Sequence, residues 1–164
     1  SQFRSEPMLR TALSAIAYAL PAPVAEAHCD GPCGVYDPAS ARVAAEAVLS
    51  MTKKLKGLEA PAAGDAAALA AYNNTFGRYV AIKEEEAQKT KKELLILWTD
   101  YFKPDHLATF PDLHDTFWKA AKLCSACKVN IDQAKAEELM AAVEKIHGMF
   151  WQSKGRSDAW VTAS

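Results

Sequence analysis

Apolar residues recur every three or four positions in four stretches of this chain, and short segments rich in glycine, proline or aspartate separate the stretches. This spacing gathers apolar side chains on one face of a helix. No stretch alternates apolar and polar residues as a strand does. Four amphipathic helices with short connections predict an all-α protein, folded as an antiparallel four-helix bundle. The predicted inward residues are Val43, Ala47, Val48, Met51 and Leu55; then Leu69, Tyr72, Phe76, Tyr79, Val80, Leu94, Leu95, Trp98 and Tyr101; then Leu113, Phe117, Ala120 and Ala121; and finally Leu139, Met140, Val143, Ile146, His147, Phe150 and Trp151.

Local signals predict the ends of these helices. Asp37 can cap the first helix, and Pro38 suits its first position because the missing N–H would be unpaired there. Asp132 caps the fourth helix in the same way. The second, third and fourth helices are predicted over about residues 65–104, 111–128 and 132–153, so that the bundle spans about residues 38–153.

Two segments lack an apolar face. The run from Lys83 to Glu93 is mostly charged, which predicts a face in contact with water. The polar tail from Ser153 onward is predicted to be loose.

Length and charge exclude some classes of protein. A chain of 164 residues is most simply one domain with a core of its own. With 19 basic and 20 acidic residues, the net charge of −1 gives no electrostatic case for nucleic acid. Since the longest apolar run is too short to cross a bilayer, no membrane partner is predicted either.

The four cysteines form two pairs, Cys29 with Cys33 and Cys124 with Cys127. The second pair is a lone C-x-x-C, which is a weak zinc signal and lacks the βαβ surroundings of a thioredoxin-like site. These two are predicted to be surface or core thiols near a helix end. The first pair differs because a histidine precedes it.

The segment from His28 to Tyr36 holds an imidazole, two thiols and a phenol within nine residues. It follows Ala25-Glu26-Ala27, which resembles a small-residue cleavage site. Cleavage there would make His28 the amino terminus. The new terminus would offer a free amine, the His28 imidazole, the amide nitrogen and thiolate of Cys29, and the thiolate of Cys33. Proteolysis is therefore predicted to complete a nitrogen and sulfur metal site.

Residues 1–27 are predicted to be a leader that is removed before His28, leaving 28–164 as the mature domain. The leader carries an arginine, an apolar stretch and a small-residue end. A secretory or organellar signal is one interpretation, and a propeptide that masks the metal site is the other.

The run HCDGPCGVYDP, from His28 to Pro38, resembles the amino-terminal metal hook of the nickel-containing superoxide dismutase family, whose pattern is H-C-x-x-P-C-x-x-Y. Three later segments resemble that family in the same order, and together with the hook they cover most of residues 28–154. They are Leu97–Pro104, Phe110–His114 and Ile146–Trp151.

The resemblance implies an enzyme that disproportionates superoxide to dioxygen and hydrogen peroxide by Ni(II)/Ni(III) cycling, with one nickel in each subunit. It implies that His28, Cys29 and Cys33 bind the metal, with Tyr36 and Tyr101 as catalytic residues beside it. Anionic sulfur and nitrogen donors suit this role because nickel accepts such ligands in a planar arrangement. The family also implies a homohexamer and a processing protease as partners.

One family feature is missing from this sequence. The family places a glutamate on the first helix and an arginine on the second, which together orient the histidine ring. Here Ala44 and Glu86 stand at those positions. Glu86 is predicted either to accept a hydrogen bond from the His28 ring directly or to lie on the charged surface. Asp30 is predicted to shape the hook through hydrogen bonds to nearby backbone. The remaining histidines are predicted to be structural or surface residues: His106, His114 and His147.

Two other functions fit parts of the sequence. A helical bundle could carry nickel or copper without turnover, since an amino-terminal amine, imidazole and amide also bind copper(II). An exported helical protein could instead pair Cys29 and Cys33 in a disulfide. A tyrosine placed to order protons favours the enzyme. A cytoplasmic location is favoured for it, and the leader keeps an organellar or exported location open.

Overall fold

The computed structural model describes residues 34–163, and the chain divides into two units, Ser1–Val35 and Tyr36–Ser164. Within the first unit only Gly34 and Val35 are described, and both are exposed. Gly34 has a φ of 65°, in the left-handed region that favours glycine.

Four α-helices form the second unit, which confirms the predicted all-α fold. Helix α1 packs against α2 and α4, and α3 packs against the same two helices. This closed ring of neighbours, joined by short connections, is an antiparallel four-helix bundle. The helices are α1, Ala39–Lys56; α2, Ala66–Ile96; α3, Leu113–Val129; and α4, Gln133–Ser153.

Aspartates begin three of the helices. The Asp37 carboxylate accepts a hydrogen bond from the amide of Ala39 at 2.8 Å, beside the start of α1. Asp65 and Asp132 cap α2 and α4 by accepting from amides of the first turn. Each carboxylate pairs N–H groups that the helix itself leaves without a partner.

The buried face of α1 is only partly the predicted one. Val48 and Leu55 are buried, as predicted, but Val43 is 51% exposed, and Ala41 and Ala45 are buried although they were not predicted to be. Ala47 and Met51, which were also predicted to face inward, are only partly buried. Small alanines suit this face because they let α1 approach both of its neighbours closely, so residue size misled the prediction.

Helix α2 is the longest, and its two halves differ. No residue of α2 before Lys83 is buried, and Leu69, predicted to face inward, is 49% exposed. At 31 residues α2 is much longer than α1, α3 and α4, which have 18, 17 and 21. Its first half therefore has neighbours on fewer sides.

Lys83 corrects the prediction of a solvated charged run. Its side chain is 1% exposed, and its ammonium group donates to the carbonyl oxygens of Cys127, Lys128 and Asn130 at the end of α3. The last carbonyls of a helix lack partners within the helix and carry partial negative charge. A lysine of α2 therefore caps the carboxyl end of α3.

The tail is also different from the prediction of a loose segment. Trp160 packs against the core, and its ring lies 5.4 Å from the ring of His147. The His147 ring bonds the carbonyl of Asp158, and the amide of Ala163 donates to the Glu46 carboxylate at 2.7 Å. These contacts tie the tail to α4 and α1.

Candidate active site

Tyr36 and Tyr101, 65 positions apart in the chain, meet at one end of the bundle. Their ring centroids are 5.5 Å apart, with the ring planes inclined by 55°. Tyr36 comes directly before the Asp37-Pro38 start of α1. The structure thus brings together the two tyrosines that were singled out in the sequence.

A π-helical turn, Leu97–Tyr101, places Tyr101 at the end of α2. Within it the Thr99 hydroxyl donates to the carbonyl of Leu95 at 2.7 Å, a type of bond that bends helices. The chain becomes extended at Phe102, and Pro104 prevents further α-helix. Such turns insert one extra residue and recur at functional sites. The sequence signals predicted where the helix ends but not this turn.

Aromatic and basic groups surround the Tyr101 ring. Phe150 lies 4.5 Å away and the imidazole of His106 stacks on it at 5.8 Å, between ring centroids. The Lys154 ammonium lies 5.3 Å from the centre of the Tyr101 ring. The Tyr101 hydroxyl lies 2.6 Å from the hydroxyl of Ser153. None of these four neighbours was predicted as a functional residue. Only the resemblance of the segment before Ser153 pointed to this region.

Each of the three histidines that the structure describes makes a hydrogen bond within the protein. Nδ1 of His106 accepts from the amide of Lys103, and Nδ1 of His114 accepts from the Trp98 indole at 2.8 Å. His147 bonds the tail. In the part of the chain that the structure describes, no three His, Cys, Asp or Glu side chains come together to hold a metal ion.

Glu86 is partly buried on α2, and its carboxylate lies 3.8 Å from the ammonium of Lys89. Ala44 is completely buried in α1.

The predicted metal ligands His28, Cys29 and Cys33, and the neighbouring Asp30, lie outside the described residues. The fit of nickel therefore rests on the chemistry of the donors. Two thiolates, an amine, an amide nitrogen and an imidazole form a nitrogen and sulfur set that suits this metal.

The second cysteine pair lies in the core of the bundle. Cys124 and Cys127 are free, buried core thiols. Burial raises the pKa of Cys124 to about 12, and it raises the pKa of Cys127 to about 11. A thiol must lose its proton to bind a metal or attack a disulfide, so these two are chemically quiet.

The model of the family "Nickel-containing superoxide dismutase" matches residues 23–154. The chain belongs to this family. It is similar to "Superoxide dismutase [Ni]" of Streptomyces seoulensis, at 39% identity over 128 residues, covering 78% of this chain and 88% of that protein. The protein of the same name from Streptomyces coelicolor is 37% identical over the same length and the same shares.

A solved structure leads to the same conclusion. Native nickel superoxide dismutase matches with a TM-score of 0.68 at 36% identity, over 78% of this chain and 99% of that one. The chain is therefore a nickel-dependent superoxide dismutase, an oxidoreductase, and family membership favours this enzyme over a metal carrier or a disulfide-bonded exported protein. Among the helices of residues 34–163, none has the length and apolar character needed to cross a membrane.

Proposed function

We propose that this dismutase becomes active when cleavage after Ala27 frees the amine of His28. Residues 1–27 would then be a leader and residues 28–164 the mature domain. The small residues before His28 support this, because they suit a protease. An uncut chain has an amide instead of an amine at His28, and an amide there leaves the ligand set incomplete.

The proposed ligands are the His28 amine and imidazole, the Cys29 amide nitrogen and thiolate, and the Cys33 thiolate, for one nickel in each subunit. Nickel supplies the one-electron chemistry, alternating between its divalent and trivalent states. Every ligand must lose a proton before it binds, so nickel affinity should fall as the pH is lowered.

The observation that carries this proposal is the pairing of Tyr36 with Tyr101. In the sequence, Tyr36 follows the proposed ligand Cys33 by three residues. Dismutation of two superoxide ions consumes two protons and releases dioxygen and hydrogen peroxide. The proposed role of Tyr36 and Tyr101 is to order the water or substrate that takes part in these proton transfers.

For Glu86 we propose a supporting role, in which its carboxylate accepts a hydrogen bond from the His28 ring. Glu86 stands where the family has an arginine, and Ala44 stands where it has the glutamate. In this chain a single carboxylate would replace that pair. Asp30 is proposed to hold the shape of the hook through its backbone neighbours. Replacement of Glu86 by Gln should slow turnover and alter the metal spectrum, and unchanged values of both would refute its role.

The decisive experiment compares three preparations: the chain that begins at His28, the same chain with its terminal amine acetylated, and the full 164-residue chain. Each is loaded with nickel, and bound metal, free thiols and superoxide consumption are measured. Only the first should bind one nickel per chain and turn over. Full activity in the uncut or acetylated form would contradict processing. Inactivity of all three would contradict the assembled site.

The assembly and location of the enzyme are also proposals. A homohexamer and a separate processing protease follow from the family resemblance, and a cytoplasmic location suits an enzyme that acts where superoxide is made. Light scattering of the chain beginning at His28 tests the homohexamer, since a mass of one or two chains would exclude it. Amino-terminal sequencing of the protein from its native cells tests the cleavage position.

A further inference from the structure

A short chain of hydrogen bonds starts at Tyr101. Its hydroxyl oxygen lies 2.6 Å from Oγ of Ser153, in the last turn of α4. Oγ of Ser153 also lies 2.6 Å from the carbonyl oxygen of Phe150, one turn earlier in the same helix. Both distances are typical of strong O–H···O hydrogen bonds.

The direction of this chain follows from counting protons. The Phe150 carbonyl can only accept, so the single proton of the Ser153 hydroxyl must point at it. Without that proton, two oxygens 2.6 Å apart would repel each other through their lone pairs. Ser153 thus has no proton left for Tyr101. Tyr101 must donate its own proton to Ser153.

We infer that Ser153 is a positioning residue: it accepts the hydrogen bond that the Tyr101 hydroxyl donates, so that toward other groups the phenol oxygen can only accept. This inference rests on the proposed role of Tyr101. During turnover such an oxygen can accept a hydrogen bond from water or from a protonated product. It cannot donate one to superoxide while the bond to Ser153 persists.

These hydrogen bonds cannot supply protons to the site. The chain that they form ends at the Phe150 carbonyl, which carries no proton to pass on. Protons for peroxide therefore do not reach the site through Ser153. Tyr101 orients a neighbouring molecule, and proton delivery takes place elsewhere.

The packing around Tyr101 fixes its hydroxyl in this arrangement. The Phe150 and His106 rings lie against the Tyr101 ring, and the Lys154 ammonium lies over the rings of both Tyr101 and Phe150. Since α4 supplies Phe150 and Ser153, and Lys154 follows directly as its C-cap, the end of that helix determines how Tyr101 can hydrogen-bond.

The first test measures the hydrogen bond without nickel. The infrared C–O stretch of a tyrosine separates a hydroxyl that donates from one that only accepts, and Tyr101→Phe identifies the Tyr101 band. In metal-free protein, Ser153→Ala should shift this band and Ser153→Thr should restore it. The matched control is Ser125→Ala, because the Ser125 hydroxyl also bonds a carbonyl one turn back, in α3. A band that Ser153→Ala leaves in place would overturn the inference.

The second test measures turnover with nickel bound. Losing one positioning hydrogen bond should reduce kcat of Ser153→Ala about fivefold. Its solvent isotope effect should change as well, because the freed Tyr101 proton now faces the site. Ser153→Thr should recover most of the rate, and Ser125→Ala should keep it. An unchanged rate and isotope effect in Ser153→Ala would contradict the positioning role.

The two tests separate this inference from the proposed function. If the processed wild-type enzyme fails to dismutate superoxide, the proposed site is wrong. The infrared result still tests the hydrogen bond between Tyr101 and Ser153. Thermal unfolding of each variant shows whether a lost rate reflects a lost fold.

Discussion

The two ends of the bundle differ in how far their polar side chains are buried. At one end the hydroxyls of Tyr36 and Tyr101 belong to a partly exposed aromatic cluster. Lys83 lies 18 residues before Tyr101, within α2, where it is buried and its ammonium closes the end of α3.

The difference shows how burial decides what a reactive side chain can do. The hook cysteines are proposed to work as thiolates, which requires easy loss of a proton. Cys124 and Cys127 are buried beside the carboxyl end of a helix, and their raised pKa values keep them protonated. An enzyme that makes hydrogen peroxide benefits from inert core thiols, because the thiolate is the form that reacts with peroxide.

The largest expected effect concerns Lys83. Lys83→Met keeps the length of the side chain but leaves the carbonyls of α3 without their donor, which should lower the free energy of unfolding by about 3 kcal/mol. Chemical denaturation measures this. Lys119→Met is the matched control, because Lys119 is exposed and its loss should change stability by about 0.5 kcal/mol or less. Equal effects of both variants would mean that the buried cap contributes nothing.

The second prediction concerns the buried thiols. A pKa raised from 9.0 to about 11 lowers the thiolate fraction of Cys127 about 100-fold at neutral pH. Thiol-reactive dyes should therefore label the folded bundle at least that much more slowly than the unfolded chain. Fast labelling of Cys124 or Cys127 in folded protein would show that the carboxyl end of α3 opens readily.

These thiols also predict a loss of stability at high pH. Since the folded pKa values lie above the unfolded value of 9.0, their contribution is complete below pH 9 and is lost as pH rises through about 11 and 12. The double variant Cys124→Ala/Cys127→Ala should fall less steeply over this range. Parallel curves for wild type and variant would mean that the thiols do not titrate with unfolding.

Tyr101→Phe should affect turnover more than stability, which is the opposite of the effect expected for Lys83→Met. Removing the hydroxyl should lower kcat about tenfold while changing the unfolding free energy by only about 1 kcal/mol, the value of one hydrogen bond. The control is Tyr79→Phe on the first half of α2, which should keep the rate. If Tyr101→Phe instead lowers the unfolding free energy as much as Lys83→Met does and leaves kcat unchanged, the two ends do not differ as described.

The smallest expected effect is at the tail. Trp160→Ala removes a partly buried ring from His147 and should lower the unfolding free energy by about 1–2 kcal/mol without changing kcat. A truncation after Lys154 should have a similar effect. A large loss of activity in either variant would mean that the tail acts on the tyrosine end.

Short-range signals predicted much of the fold. Asp65 and Asp132 were placed correctly at helix starts, since a cap depends on residues two or three positions away. For α1 the prediction was off by one residue, because Pro38 is the N-cap and Asp37 lies just before it. The limits of α3 and α4 were predicted to within about two residues. The buried face of α1 was predicted only in part, because it depends on which neighbours approach and how closely.

The sequence by itself determined the helices, their caps and the set of candidate nickel ligands, because each depends on residues adjacent in the chain. Only the tertiary structure decided that Lys83 is buried, that Tyr36 meets Tyr101, and that Ser153 lies within hydrogen-bond distance of Tyr101. Those contacts join residues 44 to 65 positions apart. No local pattern encodes them, since they exist only once the packing of the four helices has fixed which side chains face each other.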